Sequence, residues 1–268
     1  YVALLSTPVF SQKMKAEDVV AKHLDSIGSA EVRSKNTSRI IVGDAAVTFI
    51  SPKNLPANGR IVLASAGQKN FWGLNLNAVD YPFEKFSYDG KKVKVAYVRT
   101  GQRSLLGNFV LTYDLLMENS LLGGTLSTSW ILLNQTEKKL KLSFEGTKKI
   151  DGKEVYVLDY SPKSDINVQF YFNKETFRHV RTQYSRIFSA AAGRTPDTSS
   201  QQNESRLKVI ENFSDFKEES GLTLPHNYNL QYSISGARGG TDIEWNFTLN
   251  EFLFNQTLQE NTFDAEVN

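Results

Sequence analysis

Residues 140–158 decide the fold: Leu140-Lys141-Leu142-Ser143-Phe144-Glu145-Gly146-Thr147-Lys148-Lys149-Ile150-Asp151-Gly152-Lys153-Glu154-Val155-Tyr156-Val157-Leu158. Leu140, Leu142 and Phe144 recur at every second position, and Val155-Tyr156-Val157-Leu158 opens another apolar run. Between them, Ile150-Asp151-Gly152-Lys153 supplies the Asp-Gly pair that tolerates the positive φ of a two-residue turn. The stretch predicts an antiparallel hairpin with one apolar and one wet face.

The same period extends in both directions. Downstream, Val168, Phe170 and Phe172 lead through a turn at Asn173-Lys174-Glu175-Thr176 into Val180, Thr182, Tyr184 and Arg186. Leu207-Val209-Glu211-Phe213, Tyr228-Leu230-Tyr232-Ile234 and Ile243-Trp245-Phe247-Leu249 follow, with turns at Glu219-Ser220-Gly221 and Gly236–Gly240. Upstream, Trp72, Leu74 and Leu76 alternate, as do Val93, Val95 and Tyr97. No βαβ rhythm is present, which argues against a doubly wound nucleotide fold. Seventeen Phe, eleven Tyr and three Trp suit pleated surfaces.

Two segments break this period. Ala16–Gly28 predicts a helix, with acids in its first turn, Val19, Val20, His23, Leu24 and Ile27 on one face, and Gly28 as a left-handed stop. Gln102–Met117 has helical spacing in Leu105, Leu106, Phe109, Val110, Tyr113, Leu116 and Met117, with a further helical turn expected near Trp130-Ile131-Leu132-Leu133. The sparse Lys and Arg beside this stripe favour a helix packed on a sheet over one lying on a membrane. Residues 189–205 are rich in Ala, Ser, Thr and Gln and read as a flexible hairpin insertion.

A net charge of +2, with Lys and Arg spread along the chain, provides no basic footprint for nucleic acid. Zero cysteines exclude disulfides, thiolate metal sites and a cysteine nucleophile. His23, His179 and His226 lack metal-ligand spacing, and no nucleophile elbow, phosphate loop or zinc-protease motif occurs. We therefore expect no cofactor, no metal and no catalytic residue. Asn36, Asn134, Asn203, Asn212, Asn246 and Asn255 begin N-x-S/T triplets, which matter only in a eukaryotic secretory pathway. Tyr1 rather than Met opens the chain, and residues 1–11 read as the tail of a signal peptide with cleavage before Gln12. Export is the expectation. No stretch approaches the ~18 apolar residues of a spanning helix.

Four segments carry a family resemblance: Asp18–Gly28; Val168–Arg181; Phe213-Ser214-Asp215-Phe216 with Ser220–His226; and Asn250–Asn255 followed by Phe263-Asp264. In this order the chain resembles the LolA/LolB/LppX-like superfamily of periplasmic lipoprotein and lipid carriers, particularly outer-membrane lipoprotein-sorting proteins. The resemblance implies an α+β, mainly antiparallel β fold, a single domain over residues 12–268, whose curved half-barrel sheet has helices covering its concave face. It also implies a periplasmic protein of a Gram-negative-type envelope that acts in outer-membrane biogenesis. The ligand would be a lipid or an acylated lipoprotein, the further partners envelope transport proteins, and the protein a monomer.

Candidate cavity residues are the inward side chains Trp72, Leu74, Phe144, Phe170 and Phe172 on the strands. Leu106, Phe109, Val110 and Tyr113 are the candidates on the covering helix. The site needs no covalent chemistry, because each buried methylene contributes about 0.8 kcal/mol. The alternative expectation is an envelope stress sensor or scaffold that uses the same fold to bind a protein partner.

Overall fold

The computed structural model describes residues 14–134, 140–162, 164–189, 204–236 and 239–265. The expected signal-peptide tail and residues 190–203 of the expected insertion lie outside them. No described helix is long and apolar enough to cross a membrane.

Helices α1 (Ala16–Ile27) and α2 (Ala30–Lys35) precede five strands. These are β1 (Ser38–Ser51), β2 (Ala57–Ala66), β3 (Lys69–Leu76), β4 (Phe83–Tyr88) and β5 (Val93–Val95). Helices α3 (Leu105–Thr112) and α4 (Leu115–Glu118) follow, with 3-10 turns at Gly124–Leu126 and Ile131–Asn134. The chain then runs through β6 (Leu142–Ile150), β7 (Lys153–Tyr160), β8 (Asn167–Asn173) and β9 (His179–Phe188). It closes with β10 (Ser205–Glu219), β11 (Leu222–Gly236) and β12 (Gly239–Phe254).

All twelve strands form one antiparallel sheet in the order β5-β4-β3-β2-β1-β12-β11-β10-β9-β8-β7-β6. The chain starts at the centre, meanders to one edge, crosses to the other edge, and meanders back to lay β12 beside β1. The curved sheet stays open between β5 and β6. Residues 96–141 therefore have to bridge its two free edges, and this topology carries the covering helices across the apolar face.

Local chemistry explains the register. Asp151 (φ 49°) with Gly152 (φ 78°), and Ser220 (φ 52°) with Gly221 (φ 79°), place two positive-φ residues at the tips of the β6–β7 and β10–β11 hairpins. Along β8, Val168, Phe170 and Phe172 share the fully buried face. The alternation at 140–158 is kept, with a bulge between Phe144 and Gly146. Close strand contact makes Gly59 obligatory: a Cβ there would sit 1.9 Å from the Asn75 carbonyl oxygen on β3. Gly59→Ala is expected to cost about 1–3 kcal/mol, read as a lower urea midpoint, because backbone rather than a flexible side chain must yield.

Three local expectations are corrected. Gly28 is not in the left-handed helical region; its φ of 155° and ψ of 170° form a conformation that is essentially confined to glycine. Glycine is needed because a Cβ would lie 2.9 Å from the Gly221 carbonyl oxygen, where α1 ends against the β10–β11 turn. The helical stripe at 102–117 is two short helices, since Tyr113 leaves the helical region at φ −119°, ψ 66°, and Leu105 on that stripe is exposed. Tyr97 lies beyond the end of β5 and is exposed.

Candidate ligand-binding site

The covering segment lies on the sheet's apolar face. Leu106, Phe109, Val110, Leu116, Met117, Trp130 and Leu132 are buried in one continuous core with Trp72, Phe86, Phe170, Tyr184, Tyr228 and Phe247 from the strands. Burial of such side chains stabilises by about 1.5–3 kcal/mol each, so apolar contact supplies most of the adhesion. Position is set by polar pins. Arg39 of β1, itself buried, donates to the Thr125 and Leu126 carbonyls at 2.9 and 3.2 Å. Asn70 of β3 donates to the Met117 carbonyl (2.6 Å) and to the Ser120 hydroxyl (2.9 Å). Ser65 of β2 accepts from the Thr128 N–H at 2.9 Å, and Arg186 of β9 donates to the Tyr113 hydroxyl at 2.6 Å. The strongest cluster is around Glu211 of β10. One oxygen accepts from the Gly123 N–H and the Tyr228 hydroxyl, both at 2.7 Å, and the other from the Tyr184 hydroxyl at 2.6 Å.

These pins satisfy backbone groups that a segment outside the sheet ladder cannot pair with itself. Each neutral bond contributes only about 1 kcal/mol net. The segment is thus held by separable contacts rather than by strand pairing.

The candidate cavity residues separate into groups. Trp72 stacks on Phe86 (ring centroids 5.1 Å apart) and meets Phe247 edge-on. Leu74, Leu106 and Val110 are buried in the same core, and Phe109 packs beside Tyr113 and Tyr184. Phe170 and Phe172 lie further along the sheet, around Trp130 and His179. Phe144 stands apart on edge strand β6, half-buried against Tyr156. Eight of these nine residues are thus buried in the core.

Open space lies at one end of the half-barrel. A cavity of about 300 Å³ opens where β1 ends, β12 begins and α3 starts. Phe49, Tyr81, Val98, Leu106, Ile243 and Trp245 form its apolar wall, and Leu106 is the one candidate residue that lines it. Of the exposed large hydrophobics, Leu105 lines it, and Ile50, Leu55, Val79 and Tyr97 are chain neighbours of its lining residues Phe49, Asn54, Asp80 and Val98. Leu55 is 82% and Val79 92% accessible; Leu111, Ile187 and Leu253 are not part of it. A larger hollow of about 780 Å³ lies on the opposite face of the sheet. Its wall includes Arg181, Asn212, Asn229 and Asn246, register neighbours linked by hydrogen bonds across β9–β12. Ile150, Val155, Val180, Phe213 and Phe216 line it as well, so this hollow is of mixed polarity.

Two acids and two histidines are buried beneath the cover. Burial pushes Glu211 up to about 7 against the stabilising pull of its three donors. Burial likewise pushes Glu84 of β4 up to about 7. The His23 and His179 rings are 6.1 Å apart below Trp130. Burial pulls His23 down to about 3 and His179 well below the usual imidazole range, so both are neutral. Each has one ring nitrogen bonded, His23 to the Phe177 carbonyl (2.8 Å) and His179 to the Thr182 hydroxyl (3.0 Å). Among the described residues, no group of three His, Cys, Asp or Glu side chains is placed to hold a metal.

An open antiparallel sheet with its apolar face spanned by an edge-to-edge helical segment matches a known architecture. The LolA superfamily protein from Nitrosomonas europaea superposes with a TM-score of 0.50 at 11% identity, covering 94% of this chain and 98% of that one. The chain has the LolA fold. A putative outer membrane lipoprotein-sorting protein domain from Vibrio parahaemolyticus (TM-score 0.46, 12% identity) covers 91% of this chain and 97% of that one. A DUF1329 family protein from Desulfovibrio piger (TM-score 0.44, 9% identity) covers 93% and 97%. No protein-family model and no curated protein matches the sequence. At these identities the likeness concerns the fold, and the LolA-type architecture implied by the four sequence segments is the one found.

The polar pins belong to no catalytic motif, yet they carry a signal in the sequence. Arg39 is in phase with Ile41, Ala45 and Val47; Glu84 with Phe86; and Glu211 with Val209 and Phe213. A charged residue in the apolar phase of a strand is a buried charge that needs a partner.

Proposed function

We propose that this protein is a non-enzymatic carrier that takes up the acyl chain of a lipid or lipoprotein in the bacterial periplasm. The observation that carries this reading is the 300 Å³ mouth at the start of α3, whose apolar side is Phe49, Tyr81, Val98, Leu105, Leu106, Ile243 and Trp245 and whose polar side is Asn54, Asp80, Arg99, Gln102, Arg103 and Ser104. A cavity of that size lies at the small end of ligand pockets. A long chain gains further room by taking over apolar contacts that the covering segment makes with the sheet, the part of its adhesion that a chain can replace. Each methylene that leaves water contributes about 0.8 kcal/mol towards the contacts and pins so displaced. Strand addition by a protein partner is the less favoured mode. The β6 edge carries Lys148 and Lys149 and a bulge at Phe144/Gly146, devices that discourage pairing.

Native mass spectrometry of protein purified from an envelope fraction tests the reading. A carrier shows adducts of lipid mass that disappear on solvent extraction and return with added fatty acid. Recovery without lipid and without uptake would refute it.

A further inference from the structure

The polar side of the mouth is built around two arginines. The turn from Arg99 to Gln102 is closed by reciprocal backbone bonds, the Arg99 N–H to the Gln102 carbonyl (3.3 Å) and the Gln102 N–H to the Arg99 carbonyl (2.9 Å). It brings Arg99, Gln102 and Arg103 to the cavity together, directly before the Ser104 cap of α3. The two guanidinium groups differ in their commitments. Arg99 pairs with Asp80, an acid of the same lining. Arg103 donates its Nε–H to the Val95 carbonyl (3.0 Å) and lies over the Tyr97 ring, 3.8 Å from the centroid. Among the described residues no carboxylate pairs with it. The backbone bond and the ring contact hold the half-buried guanidinium in place and leave its two Nη groups as free donors. A fork held in this way matches a carboxylate or a phosphate through two parallel bonds. Two arginines against Asp80 also give the lining one surplus positive charge. Glu84 stands behind the wall rather than in it, with the Tyr81 and Ser104 hydroxyls beside its carboxyl.

We propose that the mouth selects amphiphiles with an anionic head, a carboxylate or a phosphate, which Arg103 binds while the chain lies on the wall of Phe49, Ile243 and Trp245. The inference rests on the carrier reading and adds the polarity of the ligand's head. No element has to move for the head to bind, because Arg103 already lines the cavity. Its side chain is held before the ligand arrives, so little rotamer freedom is lost on binding. A hydroxyl head gains a neutral hydrogen bond at most, and an ammonium head meets a like charge.

The experiment compares laurate, dodecyl phosphate, dodecanol, dodecylamine and butyrate binding to the full chain at pH 6.5, each below its micellar concentration. Glu84, which burial pushes up to about 7, is mainly protonated there. Tryptophan fluorescence follows binding, with Trp245 in the cavity wall as a reporter. Laurate and dodecyl phosphate are expected to bind about tenfold more tightly than dodecanol at low salt, the scale of one charge-assisted hydrogen bond. Dodecylamine is expected to bind no more tightly than dodecanol. Butyrate, a carboxylate with little chain, is expected to bind at least about 100-fold more weakly than laurate. Arg103→Met keeps an apolar stem and removes the fork, and should bring both long-chain anions within about twofold of dodecanol. Should that variant fail to fold, the wild-type ratio of laurate to dodecanol affinity gives the same answer by falling at least about threefold between about 20 mM and about 500 mM salt, as the half-exposed pair is screened. Equal binding of laurate and dodecanol by the wild-type protein, or an anion preference that persists in folded Arg103→Met, overturns the inference and leaves the carrier reading standing. Butyrate binding as tightly as laurate, or binding of no twelve-carbon probe, overturns both.

Discussion

Trp72→Ala is expected to destabilise the protein by about 3–5 kcal/mol, the range for removing a large aromatic from a packed core. Trp72 is 2% exposed and held on two sides, stacked on Phe86 of the neighbouring strand and edge-on to Phe247 of β12. β3 and β12 are not adjacent in the sheet, so the indole ties its two halves across the curve. Truncation leaves a void that neighbouring rings, each fixed by a strand, refill only in part. Urea unfolding with an unchanged m-value measures the loss. A change below about 1 kcal/mol would mean that the ring borders open space and that the concave face is hollow at β3.

The second large effect depends on pH. Glu211 titrates near 7 in the folded protein, against 4.5 as its ordinary value, because burial outweighs the donors from Tyr184, Gly123 and Tyr228. The folded state therefore holds a proton that the unfolded state gives up first. The stabilising contribution is complete below pH 4.5 and is lost as pH rises through about 7. Glu211→Gln removes that dependence, so the wild-type protein should lose about 3 kcal/mol relative to the variant between pH 4.5 and 7.5. His23, His179 and Glu84 also titrate beneath the cover, but they are common to both proteins and cancel in the difference. Parallel stability curves would show that water already reaches Glu211 and that Gly123 does not close over it. The same linkage acts on the covering segment, since lifting it hydrates Glu211 and becomes easier as pH rises.

The strands are legible in the sequence because antiparallel pairing with one wet face writes itself as a period of two, and Asp151-Gly152 and Ser220-Gly221 mark hairpin tips. α1 is legible from its apolar face, although Leu24 on that face is only half-buried. What spacing does not encode is which apolar residues meet empty space. Trp72, Phe109 and Phe170 have the periodicity expected of cavity walls, and the structure packs each of them against other rings. The mouth is built from residues distant in sequence, Phe49, Tyr81, Leu106 and Trp245, joined only when β12 returns beside β1. Nearby Leu55 and Val79 lie in inter-strand loops, where a single apolar residue is unremarkable in sequence. The break at Tyr113 is hidden because the apolar spacing continues in phase into α4.

Whether the mouth admits an acyl chain is tested most directly by titrating a fluorescent long-chain fatty acid or amine into the purified protein, with the paired variant Leu106→Asp and Trp245→Ala as control. Saturable, single-site uptake that an unlabelled lipid displaces is expected, together with loss of that uptake in a variant shown to be folded by circular dichroism. No saturable uptake of any long-chain probe by the folded wild-type protein would contradict a carrier role.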